Sequence, residues 1–239
     1  MVISSVLAFW WLLSKNDNQD RQYFNLEIQV TTTAELPASH MTNSVDRSIC
    51  GVNISTQALR KSSQGHLLDV VGILQPTQIQ PPSAPDPQRE APLLRISKCH
   101  PTSLIGVAKP NEKIKLVSDD PILYQLRSQS SLNGRKIALL PPNLMAGSVL
   151  YEKSEIVKLQ DDIHPWIRFF VVIDERPAAT TNDKGVIAFT HIPAGQYTLR
   201  LWHEVFGSKL WPSLVTLTQS QKIAIKWTEN ELIPISNLN

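Results

Sequence analysis

The stretch LQDDIHPWIRFFVVI, residues 159 to 173, joins a polar turn to a run of apolar residues. Its second half, from Ile167 to Ile173, is short and rich in β-branched and aromatic side chains. Such a run, placed directly after a turn, is typical of a buried β-strand. The turn itself sets His164 directly before Pro165 and Trp166, which raises the question of whether His164 binds a metal ion.

Similar short runs recur along the chain and predict strands separated by turns. The 17 prolines and 9 glycines among 239 residues favour many short strands over long helices. TTNDKG (180 to 185) is a hairpin signal, and IPAGQY (192 to 197) is a tight-turn signal. Strands are predicted over residues 24–30, 67–74, 112–118, 121–127, 135–140, 154–160, 167–173, 184–190, 196–204, 214–218 and 222–227. The sequence therefore predicts an all-β protein with one or two sandwiches.

The composition excludes some classes of protein. Apolar residues make up 42% of the chain, which is enough for a packed core. The chain has 23 Lys and Arg residues against 21 Asp and Glu residues, and its formal charge is +2. No long block of like charge is present, so nothing indicates binding of nucleic acid.

Residues 2 to 13, VISSVLAFWWLL, form an apolar segment that a polar stretch follows at once. As a helix this segment would span about 18 Å, which is less than the roughly 30 Å of a bilayer core. It fits the apolar part of a secretory signal or an uncleaved anchor, with a buried strand as the alternative. We expect residues 1–20 to direct export, so that the protein is periplasmic or extracellular and touches the membrane only through this segment.

Export bears on the two cysteines of the chain, Cys50 and Cys99. An oxidising compartment favours a disulfide between them. The cross-link would enclose most of the Pro-rich segment 75–92 and would stabilise the fold by about 4 kcal/mol through the lost entropy of the unfolded chain. Neither cysteine lies in a C-x-x-C spacing, so a structural role is expected rather than redox or zinc chemistry.

Three motifs resemble, in the same order, those of a family of exported bacterial proteins. They are SICG (48–51), KCHPTSLIGVAKPNEKIKLVSDDPILYQL (98–126) and DDIHPWIRFFVVIDERPAATTNDKGVIAFTHIPAGQYTLRLWHEVFG (161–207). Members combine a cupredoxin-like domain with a carboxypeptidase-regulatory-like β segment, and some are labelled methylamine utilisation proteins. The resemblance covers roughly residues 26 to 230. It implies a cupredoxin-like Greek-key sandwich over residues 24–173, a smaller antiparallel β-sandwich unit over 174–230, and a tail over 231–239.

The same resemblance implies where a copper site would lie. In the family, the stretch matching SDDPILYQL usually reads like DPVLHN, and the stretch matching QDDIHPWI usually reads like CDVHPWM. The first His then falls on Tyr124, the Cys on Asp161, the second His on His164 and the Met on Ile167. A blue-copper centre needs a thiolate and two imidazoles, with a weak axial thioether. The resemblance therefore implies a degenerate site without a metal cofactor, whose four residues still cluster at one end of the sandwich.

Two interpretations of His164 stay open from the residues alone. In the structural one, Pro165 restricts the turn and Trp166 covers the end of the sandwich, while the phenol of Tyr124 donates a hydrogen bond to Asp161 or His164. In the other, Asp161, Asp162 and His164 bind zinc or Cu(II) weakly. Neighbouring residues on a strand face opposite sides, so the two carboxylates converge poorly and the structural interpretation is favoured.

No catalytic motif is recognisable, and the protein is not expected to be an enzyme. His203 and Glu204 follow each other at the end of a predicted strand and are interpreted as structural. The favoured function is a non-catalytic exported module that binds or assembles a cell-envelope complex, with redox proteins as candidate partners. The alternatives are a periplasmic copper electron-transfer protein with altered ligands and a carbohydrate- or peptide-binding sandwich.

Five aromatic residues matter for the last alternative and for the packing of the two units. A sugar-binding face could use Tyr124, Tyr151, Trp166, Trp202 and Trp211. Their irregular spacing is more typical of core residues. We expect the two units to pack together and to share Trp166 and Trp202, because the segment between them, DERPAA (174–179), is short.

Overall fold

The computed structural model describes residues 22–35, 40–43, 45–56, 59–78, 91–142, 147–228 and 230–234. The segment expected to direct export, most of the Pro-rich loop and the end of the tail lie outside the described residues. Within those residues the chain is almost entirely β, with one short helical turn, Arg47–Cys50. No helix of the described part has the length and apolar character needed to cross a membrane. The predicted all-β fold class is confirmed.

The strands alternate with turns along the described part of the chain. The first ten are β1 (Tyr23–Thr32), β2 (His40–Asn43), β3 (Asn53–Thr56), β4 (Val71–Pro76), β5 (Leu93–Ser97), β6 (His100–Pro101), β7 (Ile105–Ala108), β8 (Lys113–Ser118), β9 (Tyr124–Gln129) and β10 (Ile137–Leu140). The others are β11 (Gly147–Leu150), β12 (Glu155–Asp161), β13 (Arg168–Ile173), β14 (Ala178–Thr180), β15 (Val186–Pro193), β16 (Gly195–His203), β17 (Gly207–Leu210), β18 (Val215–Leu217), β19 (Gln221–Trp227) and β20 (Leu232–Pro234).

The first sandwich is built from β5 to β13. One sheet has the strand order β10-β9-β12-β13-β7, and the facing sheet has the order β11-β8-β5-β6. The chain crosses between the sheets, so β5 and β8 lie side by side and parallel, as do β7 and β13. This Greek-key arrangement encloses a core that includes Leu94, Leu116, Leu126, Leu159 and Phe169. Alternate residues of each strand face this core, as the pleat of a strand requires.

The second sandwich combines strands from both ends of the chain. One sheet has the order β15-β1-β19-β20, and the other has the order β14-β4-β16-β17 with β18 also beside β16. Its core includes Leu26, Ile28, Leu74, Leu199 and Trp227. In this sandwich β1 pairs antiparallel with β15 but parallel with β19.

The structure divides the chain differently from the expected limits of 24–173 and 174–230. Strand β1 lies between two C-terminal strands, and β4 pairs with β14 and β16. Every second residue of β1 from Leu26 to Thr32 is buried, so the strand contributes one full face to the second core. The first sandwich is therefore an insertion between β4 and β14, with Ile54 of β3 added to its core. Pairing between distant segments leaves no local signal, which is why the sequence indicated a simple order of two units.

The two sandwiches pack through a third apolar cluster. Val71 and Ile73 of β4 form one buried cluster with Ile105 and Val172 of the first sandwich. Residues 71 to 74 of β4 are all buried, so this strand is covered on both faces. The ring of Trp202 lies 5.3 Å from that of Phe170 at the same interface. Trp202 is therefore shared between the units as expected.

Trp166, by contrast, belongs to the core of the first sandwich alone. Its indole Nε1 donates a hydrogen bond to the carbonyl of Cys99, another residue of that core, over 3.0 Å. The expectation that both units share Trp166 is wrong, because its side chain packs into the core of the first sandwich and is not part of the cluster between the sandwiches.

Candidate functional site

The four residues expected to form a degenerate metal site do lie together at one end of the first sandwich. Tyr124 begins β9, while Asp161, His164 and Ile167 lie at the end of β12 and in the turn before β13. The Tyr124 and His164 rings are 5.2 Å apart, and the Asp161 Oδ1 atom is 2.8 Å from His164 Nδ1. Ile167 donates its backbone N–H to the His164 carbonyl. All four residues are buried, with His164 only 1% exposed.

Asp161 organises the turn by accepting hydrogen bonds from the backbone. Its Oδ2 accepts from the N–H of Gln125 at 2.5 Å, and its Oδ1 accepts from the N–H of Ile163 at 3.0 Å and of His164 at 2.6 Å. The carboxylate thus joins β9 to the turn between β12 and β13 and holds the turn closed, as Asp side chains commonly do. The acceptor at this position has a structural use that needs no metal ion.

His164 is held between two carboxylates. Its Nδ1 faces Asp161, and its Nε2 lies 2.7 Å from Asp46 Oδ2. Asp46 precedes the helical turn Arg47–Cys50, and its carboxylate makes no cap bond to that helix. The rings of Tyr124 and Trp166 also contact the imidazole, each at a centroid distance of 5.2 Å and steeply inclined to it. Both ring nitrogens are therefore engaged with side chains of the protein.

The contact with Asp46 was not predicted. Asp46 lies 118 residues before His164, and the N-terminal third of the chain resembles the family only through Cys50 and its glycine. The expected disulfide was the one feature of the sequence that could have indicated this contact. It brings Cys50, and with it the helical turn after Asp46, to this end of the sandwich.

Tyr124 donates its phenol hydrogen bond to Asp120 Oδ2 at 2.9 Å. The prediction that it bonds to Asp161 or His164 is wrong, because the carboxylate four residues earlier already lies at the end of the same core. Asp120 also accepts from the N–H groups of Lys98 and Cys99, whose φ values of 52° and 59° are left-handed. Burial and the hydrogen bond to Asp120 together raise the pKa of the Tyr124 phenol.

Asp162 points away from the site. It accepts hydrogen bonds from Gln125 Nε2 at 2.6 Å and from the guanidinium of Arg127 at the surface. Asp161 and Asp162 therefore face opposite sides, as the alternation of a strand requires. Within the described ranges, no three His, Cys, Asp or Glu side chains are grouped so that they could hold a metal ion.

The disulfide between Cys50 and Cys99 is confirmed, with a Cα–Cα distance of 5.5 Å. Cys99 is fully buried in the core of the first sandwich, and Cys50 packs against the same core. The bond crosses from the helical turn to the tight turn between β5 and β6. It therefore ties the segment that carries Asp46 to the end of the sandwich that carries His164.

The residues present do not fit a blue-copper ion. The four positions offer a phenol, a carboxylate, an imidazole and an aliphatic side chain, without the thiolate that such a centre requires. The phenol is bonded to Asp120 and the Asp161 carboxylate to the backbone. Ile167 has no atom that could coordinate a metal ion. The four side chains therefore have neither the donor types that copper needs nor lone pairs free to bind it.

The other candidates from the sequence are structural. His203 is buried in the second sandwich, where its Nδ1 accepts the N–H of Val205, and burial lowers its pKa to about 4. Glu204 instead forms a bidentate ion pair with Arg168 at the interface of the sandwiches. Tyr151 and Trp211 are buried core residues, so they do not belong to an exposed aromatic platform.

Comparison with known proteins returned solved structures alone. No family model and no curated protein matches the chain. A purple cupredoxin from Nitrosopumilus maritimus is 13% identical, with 35% of this chain and 99% of that chain covered and a TM-score of 0.31. Amicyanin from Paracoccus versutus is 15% identical, with coverages of 42% and 97% and a TM-score of 0.32. The Cu(I) form of an amicyanin variant is 14% identical, with coverages of 43% and 99% and a TM-score of 0.32. These three solved structures are cupredoxins, and each is covered over nearly its whole length.

Proposed function

We propose that this protein is a non-catalytic binding or assembly module of a bacterial cell envelope, built on a cupredoxin-like sandwich whose copper site has been lost. The observation that carries the proposal is the state of His164, whose two ring nitrogens both bond to carboxylates of the chain. In this proposal the chain is related to exported proteins with a carboxypeptidase-regulatory-like segment, and residues 1–20 direct it to the periplasm or the cell surface.

The hydrogen bonds of the site support the loss of copper. A metal centre needs several donor atoms with lone pairs that converge on one point, and neighbouring groups that orient them. Here Tyr124 turns its hydroxyl to Asp120, and Asp161 turns its oxygens to three backbone N–H groups. The end of the sandwich is therefore sealed by polar contacts within the chain, which replace the bonds that a metal ion would make.

Exposed apolar side chains around the sealed site support a role in binding. Ile49 lies on the helical turn and Val45 two residues before it, Ile163 lies beside His164, and Leu123 directly precedes Tyr124. These four side chains are between 42% and 64% exposed. The three segments that carry them meet at His164 through the contacts of Asp46 and of Tyr124. Apolar groups gathered on a surface mark sites of protein interaction. We propose an envelope protein, with redox proteins as candidates, as the partner that contacts this end.

The copper part of the proposal is tested by restoring the ligands. The triple variant Tyr124→His, Asp161→Cys and Ile167→Met returns two imidazoles, a thiolate and a thioether to one end of the sandwich. We expect it to develop intense visible absorption with added Cu(II), while the single variant Asp161→Cys, which lacks the second imidazole, does not. A triple variant that keeps its β circular dichroism spectrum but stays colourless would show that this end was never a copper scaffold.

The binding part of the proposal is tested by replacing an exposed apolar residue with Asp in the full-length protein, which is then mixed with a cell-envelope fraction. Ile163→Asp alters the proposed surface, and Leu210→Asp is a matched control because Leu210 is similarly exposed on β17 of the second sandwich. Chemical cross-linking to a defined envelope protein should be lost in the first variant and retained in the second. Equal cross-linking by both variants would contradict the proposal that the His164 end is the binding surface.

A further inference from the structure

Two nitrogen atoms are buried at one end of the second sandwich without a hydrogen-bond partner. They belong to His203 and Trp227, the last residues of β16 and β19, and both side chains are fully buried. Among the described residues, neither His203 Nε2 nor Trp227 Nε1 has a partner. Buried polar groups are rarely left in this state, because an unmade hydrogen bond in the interior is costly. The two nitrogens therefore mark a place where a further molecule is needed.

Hydrogen bonding fixes which nitrogen of His203 carries the proton. The N–H of Val205 donates to His203 Nδ1 over 3.1 Å, so Nδ1 presents a lone pair. Burial lowers the pKa of His203 to about 4, so the ring carries a single N–H proton at neutral pH. That proton lies on Nε2. Both unpartnered nitrogens, His203 Nε2 and Trp227 Nε1, are therefore donors that need an acceptor.

The two donors belong to one cluster of rings. The His203 and Trp227 rings are 6.4 Å apart and inclined at 68°, and each also contacts the ring of Phe206, at 5.1 Å and 5.4 Å respectively. Strand β16 lies in one sheet of the sandwich and β19 in the other. Two donors cannot bond to each other, so only an acceptor between them can join the two sheets at this end.

A backbone carbonyl completes the set of polar groups. The carbonyl of Leu68, in the segment before β4, faces the imidazole closely enough to raise the pKa of His203 against the larger effect of burial. It nevertheless makes no hydrogen bond of ordinary geometry with His203 Nε2. Two donors and one acceptor are the kind of partners that a buried water has, because a water molecule accepts and donates at once.

The charges nearby exclude an ion as the ligand. Arg60 forms a bidentate ion pair with Asp69, with both N–O distances 2.6 Å, so its positive charge is already neutralised. Asp69 is also close enough to act on the charge of His203, and it would repel an anion held there. A metal cation needs lone pairs, which N–H groups do not offer. The ligand is therefore neutral, and a molecule as small as water suits the full burial of both side chains.

We propose that the second sandwich has a site for one buried water molecule, which accepts hydrogen bonds from His203 Nε2 and Trp227 Nε1 and donates one to the Leu68 carbonyl. Three hydrogen bonds are the number that buried waters usually make. The water joins β16, β19 and the segment before β4, so it is part of the folded core. The site lies in the other sandwich from His164 and does not depend on the proposed function.

NMR cross peaks between water and protein test this proposal on the isotope-labelled full-length protein. The spectra detect transfer of magnetisation from water to the indole N–H of Trp227 and to the imidazole N–H of His203. The matched control is Trp166, whose indole N–H is also buried but already donates to the Cys99 carbonyl. A long-range proton–nitrogen spectrum reports which nitrogen of His203 carries the proton.

We expect the water cross peak of Trp227 to be at least about fivefold stronger than that of Trp166, and the proton of His203 to lie on Nε2. His203→Leu removes one donor and should weaken the Trp227 cross peak severalfold, whereas His203→Gln keeps an N–H group and should retain it. A Trp227 cross peak no stronger than that of Trp166, or a proton on His203 Nδ1, would overturn the proposal.

A second source of such a signal is the hydroxyl of Thr32, which donates to the Trp227 carbonyl over 2.6 Å and exchanges its proton with water. In the Thr32→Val variant the cross peak at Trp227 should persist. Its loss in a variant that keeps the dispersed spectrum of the folded chain would also overturn the proposal, because the hydroxyl and not a bound water would then carry the signal.

Discussion

Removal of the Asp161 carboxylate should destabilise the protein far more than removal of its neighbour. Asp161 is 1% exposed, and it accepts from the N–H groups of Gln125, Ile163 and His164 and from His164 Nδ1. Asp161→Ala leaves these donors buried without an acceptor, at about 1–3 kcal/mol for each. Relaxation of the turn and entry of water reduce the total, so we expect a loss of about 3–5 kcal/mol in the free energy of unfolding.

Urea unfolding followed by tryptophan fluorescence measures this loss, because the Trp166 ring lies 5.2 Å from that of His164. Asp161→Asn keeps one carbonyl oxygen and should lose about half as much. The matched control is Asp162→Ala, which removes an exposed carboxylate bonded to side chains and should cost about 1 kcal/mol or less. A loss below about 1 kcal/mol for Asp161→Ala, or one equal to that of the control, would refute the view that this carboxylate holds the turn.

Two further predictions concern the second sandwich and the turns. Burial lowers the pKa of His203 to about 4 against the opposing effect of Asp69, so below its usual pKa of 6.5 the unfolded chain binds more protons than the folded one. The contribution of His203 to the free energy of unfolding should therefore fall by about 3 kcal/mol between pH 6.5 and pH 4, and His203→Gln should reduce the loss measured in urea titrations by about that amount. Gly134→Ala should lower the free energy of unfolding by roughly 1 kcal/mol through left-handed strain alone. Gly185→Ala should lower it by well over twice as much, when both variants are compared by thermal unfolding. At Gly185 the added Cβ lies 2.4 Å from that of His66, whereas Gly134 has open space around it.

Local patterns account for the part of the fold that was predicted correctly. Buried and less buried residues alternate in β1, β9 and β16, and this period of two is visible in the sequence. Strand β13 is visible as a short apolar run. The strands β5 and β7 were not predicted, although both lie inside the first sandwich. Each has only four or five residues, and β7 contains Gly106, so neither presents a strong pattern.

Long-range pairing accounts for what was missed. Nothing in the residues of β1 indicates that its neighbours are β15 and β19, because any alternating strand of similar length could take that place. The four clustered site residues were located through a resemblance, which carries information about distant contacts that a local pattern lacks. Asp46 and Asp120 were not predicted. Asp46 lies outside the motifs that carry the resemblance, and the resemblance assigns no role to the Asp120 side chain that contacts Tyr124.

The central claim is that contacts within the chain have taken the place of copper at the His164 end, and copper addition to the oxidised wild-type protein tests it most directly. The protein is mixed with one equivalent of Cu(II), passed through a desalting column, and measured for visible absorption and for copper per chain. We expect a colourless protein without stoichiometric copper, because both ring nitrogens of His164 and the carboxylate of Asp161 are already hydrogen-bonded within the chain. One tightly retained copper ion per chain, abolished by His164→Ala, would contradict it and would move the function towards electron transfer.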